Sequence, residues 1–98
     1  MNNWISALAN LQNQGEPCVL VTIIEELGST PRNAGSKMVI SAAQTFDTIG
    51  GGHLEYKAMQ LARDMLARRQ QHTHLERFSL GASLGQCCGG ATVLLFEP

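Results

Sequence analysis

Cys87 and Cys88 are neighbours in the segment Leu84-Gly85-Gln86-Cys87-Cys88-Gly89-Gly90, where two soft nucleophiles stand side by side among glycines. Consecutive Cα atoms lie about 3.8 Å apart across a trans peptide, below the roughly 4.4–6.8 Å usual for a disulfide, so a bond between neighbours would be strained. In an extended chain the two thiols project to opposite sides, which leaves one buried and one facing a site. Amides of Gly85, Gly89 and Gly90, or a guanidinium across the site, would lower the pKa of the facing thiol. The alternative is two small apolar fillers leading into a strand, a role that buried cysteine often takes. Cys18, inside an apolar run, is assigned to that second role.

Two further glycine-dense segments offer anion-binding chemistry. Gly50-Gly51-Gly52 precedes a helical pattern, and successive glycine amides at a helix start can form a concave nest for a phosphate. A tight strand-to-helix turn explains the same residues, and Glu55 in the first turn would repel a phosphate held close. The segment Gly28-Ser29-Thr30-Pro31-Arg32, closing at Gly35, fixes the chain direction at proline and so presents the fork of Arg32, with Lys37 adding a point charge. Ser29 and Thr30 serve either a ligand or the turn itself. Cys87, Cys88, His53, His72 and His74 show no C-x-x-C or H-x-x-x-H spacing, so zinc is disfavoured.

The elements that must position these loops follow from periodicity. Trp4, Ile5, Leu8 and Leu11 mark a helix from Asn3 to Gln14, stopped by Gly15. Cys18 to Ile24 is β-branched and nearly all apolar, which predicts a strand buried on both faces. Lys37–Ser41 and Phe46–Ile49 read as short strands. Leu54, Ala58, Leu61, Ala62, Met65 and Leu66 form an apolar stripe on a helix from Leu54 to Arg69. Leu75–Leu80 and Ala91–Phe96 complete five strands. The expected fold is α+β: a mixed, largely antiparallel five-stranded sheet with two helices packed on it.

Composition narrows the class. Ninety-eight residues, 44% apolar and 15% charged with a net charge of −1, suit one folded domain whose sparse surface charge points to a partner face, and hence to a homodimer. No basic stripe exists for nucleic acid, and the longest apolar run is too short to span a membrane. Three cysteines do not form a secreted disulfide framework, so a cytoplasmic protein is expected.

In this order, Gly28-Ser-Thr-Pro-Arg32, Gly35-x-Lys-Met38, Thr48-Ile-Gly-Gly-Gly-His-Leu-Glu55 and Gly85-Gln-Cys-Cys-Gly-Gly90 resemble the N-terminal domain of the XdhC/CoxI family, accessory proteins of xanthine dehydrogenase and related molybdenum hydroxylases. The resemblance runs over nearly the whole chain and implies a cytoplasmic chaperone that is not itself a turnover enzyme. Such a chaperone binds molybdenum cofactor (molybdopterin) as cargo, holds it while a cysteine desulfurase sulfurates it, and delivers it to the apo-enzyme. Carried over by motif, Cys87 and Cys88 become cofactor-contacting thiols and candidate molybdenum contacts, flanked by Gln86, Gly89 and Gly90. Gly50, Gly51, Gly52 and Arg32, with Ser29, Thr30 and Lys37, would receive the phosphate and polar edges. Family members continue into a Rossmann-like second domain that residues 1–98 do not contain. Two other readings stand beside this one: a sulfur-transfer enzyme with Cys87 or Cys88 as nucleophile, and a non-catalytic dimeric interaction domain.

Overall fold

A computed structural model describes residues 3–27, 34–79 and 91–98. Helix α1 spans Trp4–Gln14, strand β1 Cys18–Leu27, β2 Lys37–Ser41 and β3 Thr45–Asp47. Helix α2 spans Gly52–Ala67, and strands β4 His74–Ser79 and β5 Ala91–Glu97 follow. The sheet order is β3-β2-β1-β5-β4, and all four neighbouring pairs are antiparallel. The expected α+β class holds, with five strands and two helices, and the antiparallel character is complete among these pairs.

Side-chain alternation assigns the two sheet faces. Val19, Val21, Ile23, Met38, Ile40, Leu94 and Phe96 point to one face and form the core with Ala58, Ala62 and Met65 of α2. Alanine at 58 and 62, both fully buried, lets α2 approach the sheet closely, and no β-branched residue interrupts the helix. Val39, fully buried, points to the opposite face, where α1 packs on β2 and buries its own Ala7 and Leu11. Asn3 caps α1 by accepting the Ser6 amide at 2.8 Å, and Gly15 ends it in the left-handed conformation, as its position predicts.

Three elements, β1, β3 and α2, differ by two or more residues at an end from what the sequence suggests, while α1, β4 and β5 differ by one. Strand β1 runs on to Leu27 because a bulge between Ile23 and Glu25 keeps Ile23 inside while Ile24 turns outward, 46% exposed. It is therefore buried on one face and only partly covered on the other. Strand β3 stops at Asp47, whose φ of +67° breaks the pleat, so Thr48 and Ile49 belong to the turn. Helix α2 begins at Gly52, after the N-cap Gly51 at φ +78°, and ends at Ala67, with Arg69 at φ +55° just past the end.

Thr22 lies on the α1 face, 7% exposed, and its hydroxyl oxygen has no hydrogen-bond partner among the described residues. A buried orphan hydroxyl destabilises, and valine has the same shape without the polar atom. Thr22→Val is expected to raise stability by about 1 kcal/mol, a melting shift of roughly 4–8 °C in a domain of this size. Thermal denaturation checks this; a lowered melting point would mean that the hydroxyl does have an acceptor.

Candidate functional site

The strand ends that flank all three glycine-rich segments lie toward the same end of the sheet. Leu27 at the end of β1 pairs with Ala91 at the start of β5, and Ala91 pairs with Ser79 at the end of β4. The chain flanking residues 28–33 and the chain flanking residues 80–90 thus start from adjoining strands. The triple glycine is set back. Strand β2 begins at Lys37 opposite Thr22, five residues short of Leu27, or roughly 16 Å along the strand. Ser29, Thr30, Arg32, Gln86, Cys87, Cys88, Gly89 and Gly90 lie outside the described residues.

The turn from β3 into α2 is built around a single oxygen. Oε1 of Glu55 accepts the amides of Ile49 at 3.2 Å and Gly51 at 3.1 Å, together with the hydroxyl of Thr48. Thr48 Oγ1 accepts in turn from the Gly50 amide at 3.0 Å. Gly50, Gly51 and Gly52 have φ of +120°, +78° and +72°, so a side chain at any of the three would strain the backbone even though no neighbour crowds it. The glycines form a tight strand-to-helix turn, and Glu55 accepts the Ile49 and Gly51 amides from within the chain. The amides of Gly52, His53 and Leu54, in the first turn of α2, have no intrahelical acceptor and point out of the helix start.

Lys37 is positioned rather than loose. Its ammonium sits 5.6 Å from the ring centroid of Trp4 and 3.5 Å from the Gly35 carbonyl oxygen. The Trp4 amide donates to Asp47 Oδ2 at 3.2 Å, while Asp47 Oδ1 accepts from Thr48. The start of α1 is therefore tied to the glycine turn through Asp47. Neither Trp4 nor Asp47 stands out in the sequence as part of the site. An aspartate closing a short strand just before glycines is the one available signal, since aspartate tolerates left-handed φ.

Among the described residues no group of three or more His, Cys, Asp or Glu side chains could hold a metal ion. Cys18 lies far from the glycine turn, in a cleft of about 560 Å³ lined by Leu8, Gln12, Glu16 and Glu97 among others. Burial, and to a lesser degree the Glu16 charge, pushes its thiol pKa up, which suits the filler role assigned to it. No helix among the described residues is long and apolar enough to cross a membrane.

Over 92 residues the chain is 32% identical to the uncharacterized protein YqeB of Escherichia coli K12, covering 91% of this chain and 17% of that one. Its fold superposes with a TM-score of 0.71 and 26% identity on a crystal structure described as a xanthine dehydrogenase from Bacillus halodurans. That match covers 96% of this chain and 30% of the other. The chain thus spans less than a third of the length of either relative. Residues 11–79 match the XdhC and CoxI family, and the chain belongs to that family.

Proposed function

We propose that this chain is a carrier domain for molybdenum cofactor, acting in the cytoplasm in the maturation of xanthine dehydrogenase-type molybdenum hydroxylases rather than turning over a substrate. Its partners in this reading are the apo-enzyme and a cysteine desulfurase that sulfurates the cargo. Family membership and the likeness to a chain described as a xanthine dehydrogenase support the direction. The observation that carries it is the Leu27–Ala91–Ser79 pairing, because the segment with Arg32 and the segment with Cys87 and Cys88 spring from adjoining strands.

The chemistry of the donors fits such a cargo. A thiolate is a soft ligand suited to a sulfur-rich metal centre, and the guanidinium of Arg32 suits phosphate in a two-pronged contact. Gln86, Ser29 and Thr30 supply hydrogen bonds to a polar heterocycle edge. Gly89 and Gly90 let a planar ring system approach the backbone. Gly50, Gly51 and Gly52 shape the helix start, and the cargo phosphate would meet the amides of Gly52, His53 and Leu54, while Glu55 keeps those of Ile49 and Gly51. Lys37 adds a charge that Trp4 holds in place.

The test is uptake of released cofactor by the purified chain, read as molybdenum content and pterin fluorescence after gel filtration. About one equivalent per chain is expected, falling about tenfold when Cys87 and Cys88 are both replaced by alanine. Undiminished uptake by the double variant would remove the thiols from the site, and no uptake by the wild type would remove the carrier reading.

A further inference from the structure

We infer that the indole of Trp4 and the ammonium of Lys37 form a wall for a flat heterocycle with a carbonyl at its edge. Under the carrier reading, on which its identity rests, that heterocycle is the pterin ring of the cargo. Helix α1 starts beside Asp47 and ends at Gly15, three residues before Cys18, which pairs with Ser41 at the far end of β2. Its first residue therefore stands where Lys37 opens β2 and where β3 gives way to the glycine turn. A helical side chain leans toward the N-terminus of its own helix, so the indole projects past the start of α1. Trp4 is half-buried, which leaves part of the ring open. The helix start itself does not call for tryptophan, since Asn3 supplies the cap and aromatic residues are indifferent helix formers.

The backbone under the indole is pinned to the turn that leads into α2. Asp47 takes the Trp4 amide on one carboxylate oxygen at 3.2 Å and the Thr48 amide on the other at 3.0 Å. The Thr48 hydroxyl is bonded in turn to Glu55 and to the Gly50 amide. A wall already in place loses little freedom when a ligand arrives. Lys37, by contrast, is held there by weak contacts. Its ammonium lies 5.6 Å from the indole centroid, near the outer limit of a cation–π contact. Its distance of 3.5 Å to the Gly35 oxygen is long for a hydrogen bond. Among the described residues it forms no ion pair. A ring stacked on the indole can accept from this ammonium at its carbonyl edge, which gives Lys37 one good acceptor in exchange for two poor contacts. Stacking on an aromatic side chain suits any fused heterocycle, because each has a π-face. A pterin ring and a nucleobase share this chemistry.

The chain has a single tryptophan, so the indole N–H gives one identifiable signal in a nitrogen–proton correlation spectrum of the purified protein. A water-soluble pterin, guanosine and inorganic phosphate are titrated separately, alongside molybdenum uptake from released cofactor. The pterin is expected to shift the indole signal, and phosphate to leave it in place. Trp4→Leu weakens pterin binding, followed by the fluorescence of the pterin itself, and cofactor uptake by about tenfold. Trp4→Phe keeps a π-face and weakens both by about threefold or less, and Lys37→Met weakens both several-fold. Circular dichroism confirms that each variant folds. Cofactor uptake by the wild type with an unmoved indole signal, and equal uptake by Trp4→Leu, overturns the inference and leaves the carrier reading standing. A wild type that takes up no cofactor removes the carrier reading instead, and the pterin titration then decides the wall: an indole signal that pterin does not move overturns it. A larger shift with guanosine than with the pterin gives the wall to a nucleobase and overturns the pterin assignment. Equal losses in Trp4→Phe and Trp4→Leu would make the indole a structural residue and overturn the inference as well.

Discussion

Glu55→Ala is expected to cost about 2–3 kcal/mol and to lower the melting temperature by roughly 10–20 °C. Three donors converge on one oxygen of this side chain, and two of them are partly buried backbone amides that the helix cannot satisfy. Removing the acceptor strands both, at about 1–3 kcal/mol each when fully buried and less at partial exposure. Loss of a negative charge beside a helix start adds roughly 0.3–1 kcal/mol, and the better helix propensity of alanine returns only a few tenths. Glu55→Gln separates the two contributions. Its amide oxygen can occupy the same position and accept all three bonds, so only the charge is lost and the cost is about 1 kcal/mol or less. Chemical denaturation of both variants checks the ordering; equal losses would mean that the charge, not the acceptor, holds the turn.

The same pair of variants bears on the site. In the folded protein the Glu55 carboxylate lies against the donors that an incoming phosphate would otherwise use. A unit charge a few ångströms away from a phosphate near a protein surface is worth several kcal/mol of repulsion before screening. Glu55→Gln keeps the turn and removes that repulsion, so retention of free phosphate is expected to rise about tenfold if the cargo phosphate docks on the first turn of α2. An unchanged affinity would move the phosphate toward Arg32 and Lys37.

Much of this arrangement was legible in the residues because hydrophobic period and burial coincide. The alternation of Val19, Val21 and Ile23 marks a core-facing row. The Ala58, Ala62, Met65 stripe marks the helix that covers it. What stayed hidden depends on contacts between segments distant in sequence. The bulge at Ile24 is a feature of the pairing of β1 with β5, which continues beyond it to Ala91, and nothing in Ile23-Ile24-Glu25 announces it. Glu55 was legible as a first-turn acid. Its three donors were not, because Thr48 lies seven residues upstream, outside the three-residue spacing of a capping box. The coverage of β1 was overestimated for a related reason. A continuous apolar run predicts burial on both faces, yet α1 is too short and lies too far over β2 to cover the part beside β5.

Phe96→Ala is expected to produce the largest loss of any single truncation in the described core, about 3–5 kcal/mol. Phe96 is the largest of the fully buried side chains, with no exposed surface. It sits in β5 opposite Val21 of β1 and His74 of β4, and its ring meets the His74 ring at 6.1 Å. Strand β5 is the joint of the sheet: it binds β1, which carries β2 and β3, to the edge strand β4. A void there cannot be filled by collapse of one neighbour, since partners on both sides are held in register by backbone hydrogen bonds. Domains of this size have about 5–10 kcal/mol in hand, so the variant should unfold at a much lower urea concentration while keeping its m-value. Leu75→Ala, one strand away and exposed, serves as the contrast and should change monomer stability by less than about 0.5 kcal/mol. If the two variants lost similar amounts, the core would not run through β5. The Leu27–Ala91–Ser79 juxtaposition on which the site depends would then lack its support, because the packing of β5 is what keeps the ends of β1 and β4 together.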